Sequence, residues 1–276
     1  MTFTIKKLFA VALTASTLFM GCSKDEKTTE SPHEPESICI LQDYSSKWYM
    51  GDREGKLVTT KFKNDADNRI IIGSVDSNPM SFEYYNDKII IKYFVFEEPY
   101  VSIDEYKLNN KGLAVSMTRK MHSYKDTELK TYMELSFDYD QNDQLKAIKE
   151  GDKQVLLTYQ NGNLVNVSDG IAGGSFSLTY NTEKPYKANP LFTLSPFYHI
   201  QTLINRIPQP VNQTFPWGIL YAGGYLGKQV KNQIKSIGSY HFEYTTDQDN
   251  KILHLKEINM QESIDSTVYN FNYLCK

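Results

Sequence analysis

A three-residue unit of large apolar, polar and tyrosine recurs six times along the chain. The copies are Phe82-Glu83-Tyr84, Phe137-Asp138-Tyr139, Leu157-Thr158-Tyr159, Leu178-Thr179-Tyr180, Phe242-Glu243-Tyr244 and Phe271-Asn272-Tyr273. Alternation of period two with aromatic residues marks a half-buried strand. Turn signals follow most copies, at Asn86-Asp87, Asn142-Asp143, Asn161-Gly162 and Asp249-Asn250. Asn161-Gly162 between two such runs specifies a tight hairpin, because both residues tolerate the positive φ of a type I′ turn. The starts at Phe137, Leu157 and Leu178 are 20 and 21 residues apart, the length of one hairpin with its connection, which makes this an internal repeat of one supersecondary unit.

Further strand-like stretches lie at 89–96, 101–108, 113–119 and 132–135. Successive antiparallel hairpins make a wide twisted sheet that must curl to hide its apolar face. The expected fold is therefore mainly β: a rolled antiparallel meander, an open or incomplete barrel, with a short helical insertion near residues 190–235.

That insertion breaks the alternation. Residues 189–235 hold five of the ten prolines. Residues 196–207 read as a helix with Phe197, Ile200, Leu203, Ile204 and Ile207 on one stripe, Ser195 placed to cap it and Pro196 suited to its first position. A second apolar stretch runs from Trp217 to Lys228. Two readings stand: a core plug without a ligand, or a pocket mouth lined by Tyr198, His199, Trp217, Tyr221 and Tyr225. Aromatic rings with polar tips suit glycan or amphipathic ligands.

Catalytic signatures are poorly represented. Ala222–Gln229 is a near miss for a phosphate-binding loop, with Ala222 in place of glycine and Gln229 in place of Ser or Thr. Gly173-Gly174-Ser175-Phe176-Ser177 lacks the last glycine of a nucleophile elbow. No zinc spacing occurs and no motif calls for a cofactor. A hairpin register with Thr245 opposite Asn250 places His241 across from His254, with Glu243 beside them, a set that either holds a divalent metal or is simply a solvated face. Carboxylates such as Glu97-Glu98 do glycosidase work only at a set separation across a cleft. Asp265-Ser266-Thr267 resembles an O-glycosylation acceptor triplet of Bacteroidota. The near balance of 30 basic and 33 acidic residues excludes a strongly basic nucleic-acid binder.

The N-terminus reads as an address. Lys6 and Lys7 precede an apolar stretch, Leu8 to Met20, too short to span a bilayer but of secretory length. Leu18-Phe19-Met20-Gly21-Cys22 resembles a bacterial lipobox, which implies acylation of Cys22 and removal of residues 1–21. Ser23-Lys24-Asp25-Glu26 resembles the acidic export signal of Bacteroidota lipoproteins bound for the outer face of the outer membrane; a solvated tether in the periplasmic leaflet is the alternative. The expected organisation is a signal peptide at 1–21, a disordered tether at 22–37 and one β-rich domain at 38–276. Cys39 and Cys275 then remain, one at each end of the domain. They form either a disulfide, as an even pair in an oxidising compartment does, or two free buried thiols.

The hairpin repeat resembles degenerate YD repeats of large bacterial surface shells. Together with the lipobox and the Trp217-Gly218 segment, it makes the chain similar to a Bacteroidota lipoprotein family of unknown function with a porin-like fold. That resemblance implies a rolled antiparallel sheet and no established activity. A lipid-anchored outer-membrane protein of non-enzymatic binding or accessory type is expected, for a glycan or amphipathic ligand. A structural or adhesive module meeting a protein partner, or a carbohydrate-active hydrolase, are the alternatives.

Overall fold

A computed structural model describes residues 39–75, 78–94, 101–122, 128–169, 174–186, 216–261 and 265–275. The first strands are β1 (Cys39–Met50), β2 (Arg53–Glu54), β3 (Val58–Lys61), β4 (Lys63–Asn64), β5 (Ile70–Val75) and β6 (Asn78–Tyr84). There follow β7 (Lys88–Phe94), β8 (Val101–Leu108), β9 (Ala114–His122), β10 (Lys130–Tyr139), β11 (Leu145–Glu150) and β12 (Lys153–Gln160). The last are β13 (Asn163–Ser168), β14 (Ser175–Pro185), β15 (Asn232–Ile237), β16 (Tyr240–Thr246), β17 (Ile252–Asn259) and β18 (Asp265–Cys275). One short helix, α1 (Trp217–Ala222), precedes β15.

Every strand pairing is antiparallel and follows chain order from β4 to β18. The last strand then pairs with the first, Cys39 opposite Cys275 and Met50 opposite Asp265. On its other side β1 pairs with β2 and β3. The circuit is interrupted between β3 and β4. Over the single residue Phe62 the chain passes from the edge of β1 to that of β5, where only two residue pairs form. The sheet is thus rolled but not closed into a continuously bonded barrel, as its alternation and hairpin repeat imply.

Tight and five-residue turns alternate with strands at one end of the roll, and the five-residue form recurs at 65–69, 109–113, 140–144 and 247–251. In each, Oδ1 of the leading Asp or Asn accepts the N–H groups two and four residues on. Its own N–H donates to the carbonyl of the fifth residue, while the fourth takes positive φ as Asn68, Gly112, Asp143 or Asn250. Asp and Asn lead such turns because their short side chain bonds the backbone locally. At 161–162 the expected two-residue hairpin forms, with φ of 52° and 82°.

The repeated tyrosines stand beside these turns. Tyr84, Tyr139, Tyr180, Tyr244 and Tyr273 donate their hydroxyls to the carbonyls of Ile70, Ala114, Leu164, Ile234 and Ile252. Each acceptor lies near the start of the preceding strand, so each ring is inward and its tip ties down the neighbouring turn. Burial pushes the hydroxyls of Tyr84, Tyr139, Tyr159 and Tyr180 well above the phenol range. They are therefore neutral donors. The far end of the roll carries the opposite set of connections, including Gly51-Asp52 and Gly238-Ser239.

Residues 216–231 are stitched across the tyrosine end. Ala114 N–H donates to Tyr225 O, Lys228 N–H to Asp143 O and Lys231 N–H to Gly162 O. Gly227 makes the approach possible: its φ is +93°, and a Cβ there would stand 2.8 Å from Asp143 O. Trp217, Leu220 and Leu226 are buried in the common core with Tyr106, Phe137, Leu145 and Leu164.

Candidate functional site

The aromatic residues singled out in the insertion separate. Tyr198 and His199 lie outside the described residues, as does the helix expected at 196–207. Trp217 is fully buried, its indole Nε1 donating to Tyr106 Oη at 3.1 Å and its ring meeting Phe137 edge-on. Tyr221 is also buried, and its hydroxyl accepts the N–H of Val230 at 2.6 Å. Only Tyr225 is half-exposed, stacked on Tyr84, which also carries the Arg69 guanidinium over its ring. A pocket mouth at Trp217 and Tyr221 is therefore corrected to interior packing: a segment bonded to three turns leaves no space beneath it at these rings.

The histidine pair is corrected as well. His241 stands opposite Ile258, and His254 opposite Thr245. Asp247 caps a five-residue turn and a bulge follows Thr245, so the hairpin closes further along the chain than the shorter turn assumed. The same bulge buries Ile252 and exposes Leu253. The imidazole of His254 bonds Asn270 instead, and no metal-ligand group of three occurs among the described residues. Cys22 lies outside the described residues. The backbone of Cys39 pairs directly with that of Cys275.

Two groups of buried charge, neither foreseen, lie on the inner face. Asp104 on β8 and Arg119 on β9 are cross-strand partners, both fully buried. Two 2.6 Å bonds join Arg119 Nε and Nη2 to the two Asp104 oxygens, and Tyr93 donates to Oδ2 at 2.8 Å. The paired geometry satisfies charges that would be costly alone.

The second group borders a concavity. Across four adjoining strands the register sets Trp48, Thr267, Glu257 and Phe242 in one row on the inner face. Two residues nearer the far rim, Met50 stands opposite Asp265 and Asn259 opposite Tyr240. These side chains, Phe242 apart, line a concavity of about 180 Å³. Typical small-molecule pockets hold about 300–1,000 Å³, so this one suits a single ring. Trp48 is 46 % exposed, and its indole lies over Gly55, where a Cβ would stand 2.0 Å from Nε1. Glu257 is only 6 % exposed and takes one hydrogen bond, from Tyr269 Oη at 3.1 Å. Burial pushes its carboxyl up to about 7, against the opposing pull of that bond. Oδ1 of Asp265 is buried with no hydrogen-bond partner among the described residues. An aromatic platform, two carboxyls and an amide on one wall can hold a ring by stacking and hydrogen bonds. The sequence carries a signal for Glu257, since alternation from Leu255 puts it on the apolar face. Trp48 in the row carries none, because only the β1–β18 register brings it there.

Comparison with known proteins fits this architecture. No curated protein sequence matches the chain. A porin-like protein from Bacteroides uniformis, 14 % identical, superposes with a TM-score of 0.57 over 85 % of this chain and 98 % of its own. Another, from Bacteroides vulgatus, is also 14 % identical and gives 0.49 over 86 % and 99 %. The family described as a domain of unknown function (DUF4595) with porin-like fold matches residues 49–255. These residues span β2 to the middle of β17 with the stitched segment 216–231, so the chain is a member of that porin-like-fold family, whose function is not known.

Proposed function

We propose that the protein is a lipid-anchored component of the bacterial cell envelope that binds carbohydrate, without catalysis, in the Trp48–Glu257 concavity. The observation that carries this reading is the half-exposed indole of Trp48 beside carboxyl and amide groups on one wall. Sugar rings present an apolar face for stacking and an edge of hydroxyls for hydrogen bonds, which is the division of labour found here.

Other features argue for an anchored rather than a conducting protein. The outward strand faces expose Lys120, Glu134, Lys146, Lys235 and Glu243. A lysine on a lipid-facing barrel wall costs roughly 2–4 kcal/mol at mid-bilayer, so this exterior suits water. The interior holds Trp217, Tyr106 and Leu220 rather than an aqueous channel at that level. An acyl group on Cys22 then supplies the membrane attachment, at the outer membrane and facing the cell exterior. Opposite backbone positions of Cys39 and Cys275 favour a disulfide between them. Glu257 and Asp265 rise from the same wall instead of flanking a bond from two sides, which favours binding over hydrolysis.

The test is glycan-array binding of the purified domain beside Trp48→Ala. The expected result is retention of a defined glycan class by the native chain and about tenfold or greater loss in the variant. Equal retention by both proteins would overturn the assignment. Labelled-palmitate incorporation, lost in Cys22→Ala, checks the anchor.

A further inference from the structure

Resting on the carbohydrate-binding reading, we infer that the Trp48 concavity selects an ammonium-bearing ring, an amino sugar with a free amine, over its neutral counterparts. Two carboxyls line this small space, and no lysine or arginine does so among the described residues. Arg53, opposite Met50 on β2, is exposed and is not part of the lining.

The carboxyls are also incompletely used. Glu257 is more than nine-tenths buried, and Tyr269 donates to only one of its oxygens. Asp265 Oδ1 is buried without a donor among the described residues. A buried acceptor lacking its donor is costly, and a ligand that brings donors recovers that cost. An ammonium brings three donors and a full charge, so its bonds to carboxylate are about twice as strong as those of a neutral hydroxyl. Trp48 on the adjoining strand adds an electron-rich face, which attracts the same cation. Neutral sugars satisfy the acceptors through hydroxyls but gain neither the charge pairing nor the cation–π term.

Such a ligand also suits the surroundings. Where Asp104 is buried, the chain itself supplies a guanidinium at 2.6 Å. At Glu257 no equivalent residue faces the carboxyl from β16, β18 or β1: its inward neighbours there are Phe242, Tyr240, Asp265, Thr267, Tyr269 and Trp48. Among the described residues none supplies a cation to this wall.

The experiment is calorimetric titration of the native protein at pH 7, where the sugar amine is mostly ammonium, with glucosamine, glucose and N-acetylglucosamine, and with partly and fully deacetylated chitotriose. Glucosamine is expected to bind about tenfold more tightly than glucose. Glu257→Gln should bring the ratio of glucosamine to glucose affinity within the variant close to one, whatever the absolute affinities, and Asp265→Asn should reduce that ratio in part. Equal affinity for the charged and neutral sugars would overturn the charge selection and leave the carbohydrate site standing. Binding of no sugar by native protein would overturn both. Circular dichroism of each variant separates lost selectivity from lost fold.

Discussion

Glu257 shows how a single side chain can tie the site to the stability of the whole. Its folded carboxyl titrates near 7, while an unfolded glutamate titrates near about 4.3. The folded state therefore holds a proton that the unfolded chain has released across the interval between the two. Its contribution is fully present below about pH 4 and is lost as pH rises through 7, a change of roughly 3 kcal/mol. Urea unfolding at pH 5 and pH 8 should show this loss in the native protein and a flatter profile in Glu257→Gln. The other buried charge behaves differently, because Asp104 has a partner. Arg119→Ala strands that carboxylate in the core and should cost about 3–5 kcal/mol, whereas replacing both residues by well-packed apolar ones should recover most of it. Unlike Glu257, Asp104 was not prominent in the sequence: in Val101–Leu108 the apolar Ile103 and the polar Ser102 and Asp104 alternate, and the polar set faces inward. Which alternate set a strand buries depends on its neighbours, and Arg119 on β9 decides it here.

Among the elements, the hairpins were the most legible in the sequence and their exact closures the least. Strands β7 to β10 and the turn at 161–162 stand where alternation and the Asn-Gly pair put them. The β16–β17 register was missed because the turn is set by the Asp247 carboxylate rather than by the Asp249-Asn250 pair alone. In Asp247→Ala two N–H groups lose their acceptor, with an expected loss of roughly 1–2 kcal/mol in thermal or urea melts. The same substitution at Asp140 should act similarly, since the turn is of the same form. The tyrosine repeat was recognisable as a strand mark, but its second role was not. The hydroxyl-to-carbonyl bonds join adjacent strands across residues 10 to 25 apart. Tyr139→Phe keeps the ring and strands the Ala114 carbonyl, which should cost about 1 kcal/mol. The stitched segment is more sensitive still. Gly227→Ala meets both an unfavourable φ and the Asp143 carbonyl, and should release residues 216–231 to protease before the rest of the sheet.

At the level of the whole molecule, period-two alternation required a sheet that curls, but the chain's way of ending that curl needed the register. The first and last strands lie side by side over eleven residue pairs. Their union joins the two ends of the sheet, so loss of either β1 or β18 opens the roll along its length. Removal of residues 265–276 should abolish cooperative unfolding rather than merely lower its midpoint. A bridge between Cys39 and Cys275 would close a loop of over 200 residues; chain-entropy scaling gives about 5–6 kcal/mol for such a crosslink. Thermal melts with and without reductant, beside Cys275→Ser, measure it.

The placement of the two chain ends also gives the roll a direction. Cys39 and Cys275 sit beside the tyrosine-bonded turns, while Met50 and Asp265 mark the other rim. The stitched end is therefore the one at which the sheet both begins and ends. The concavity at Trp48 opens at the opposite rim, so the seam between the first and last strands runs from a packed floor to an open lip.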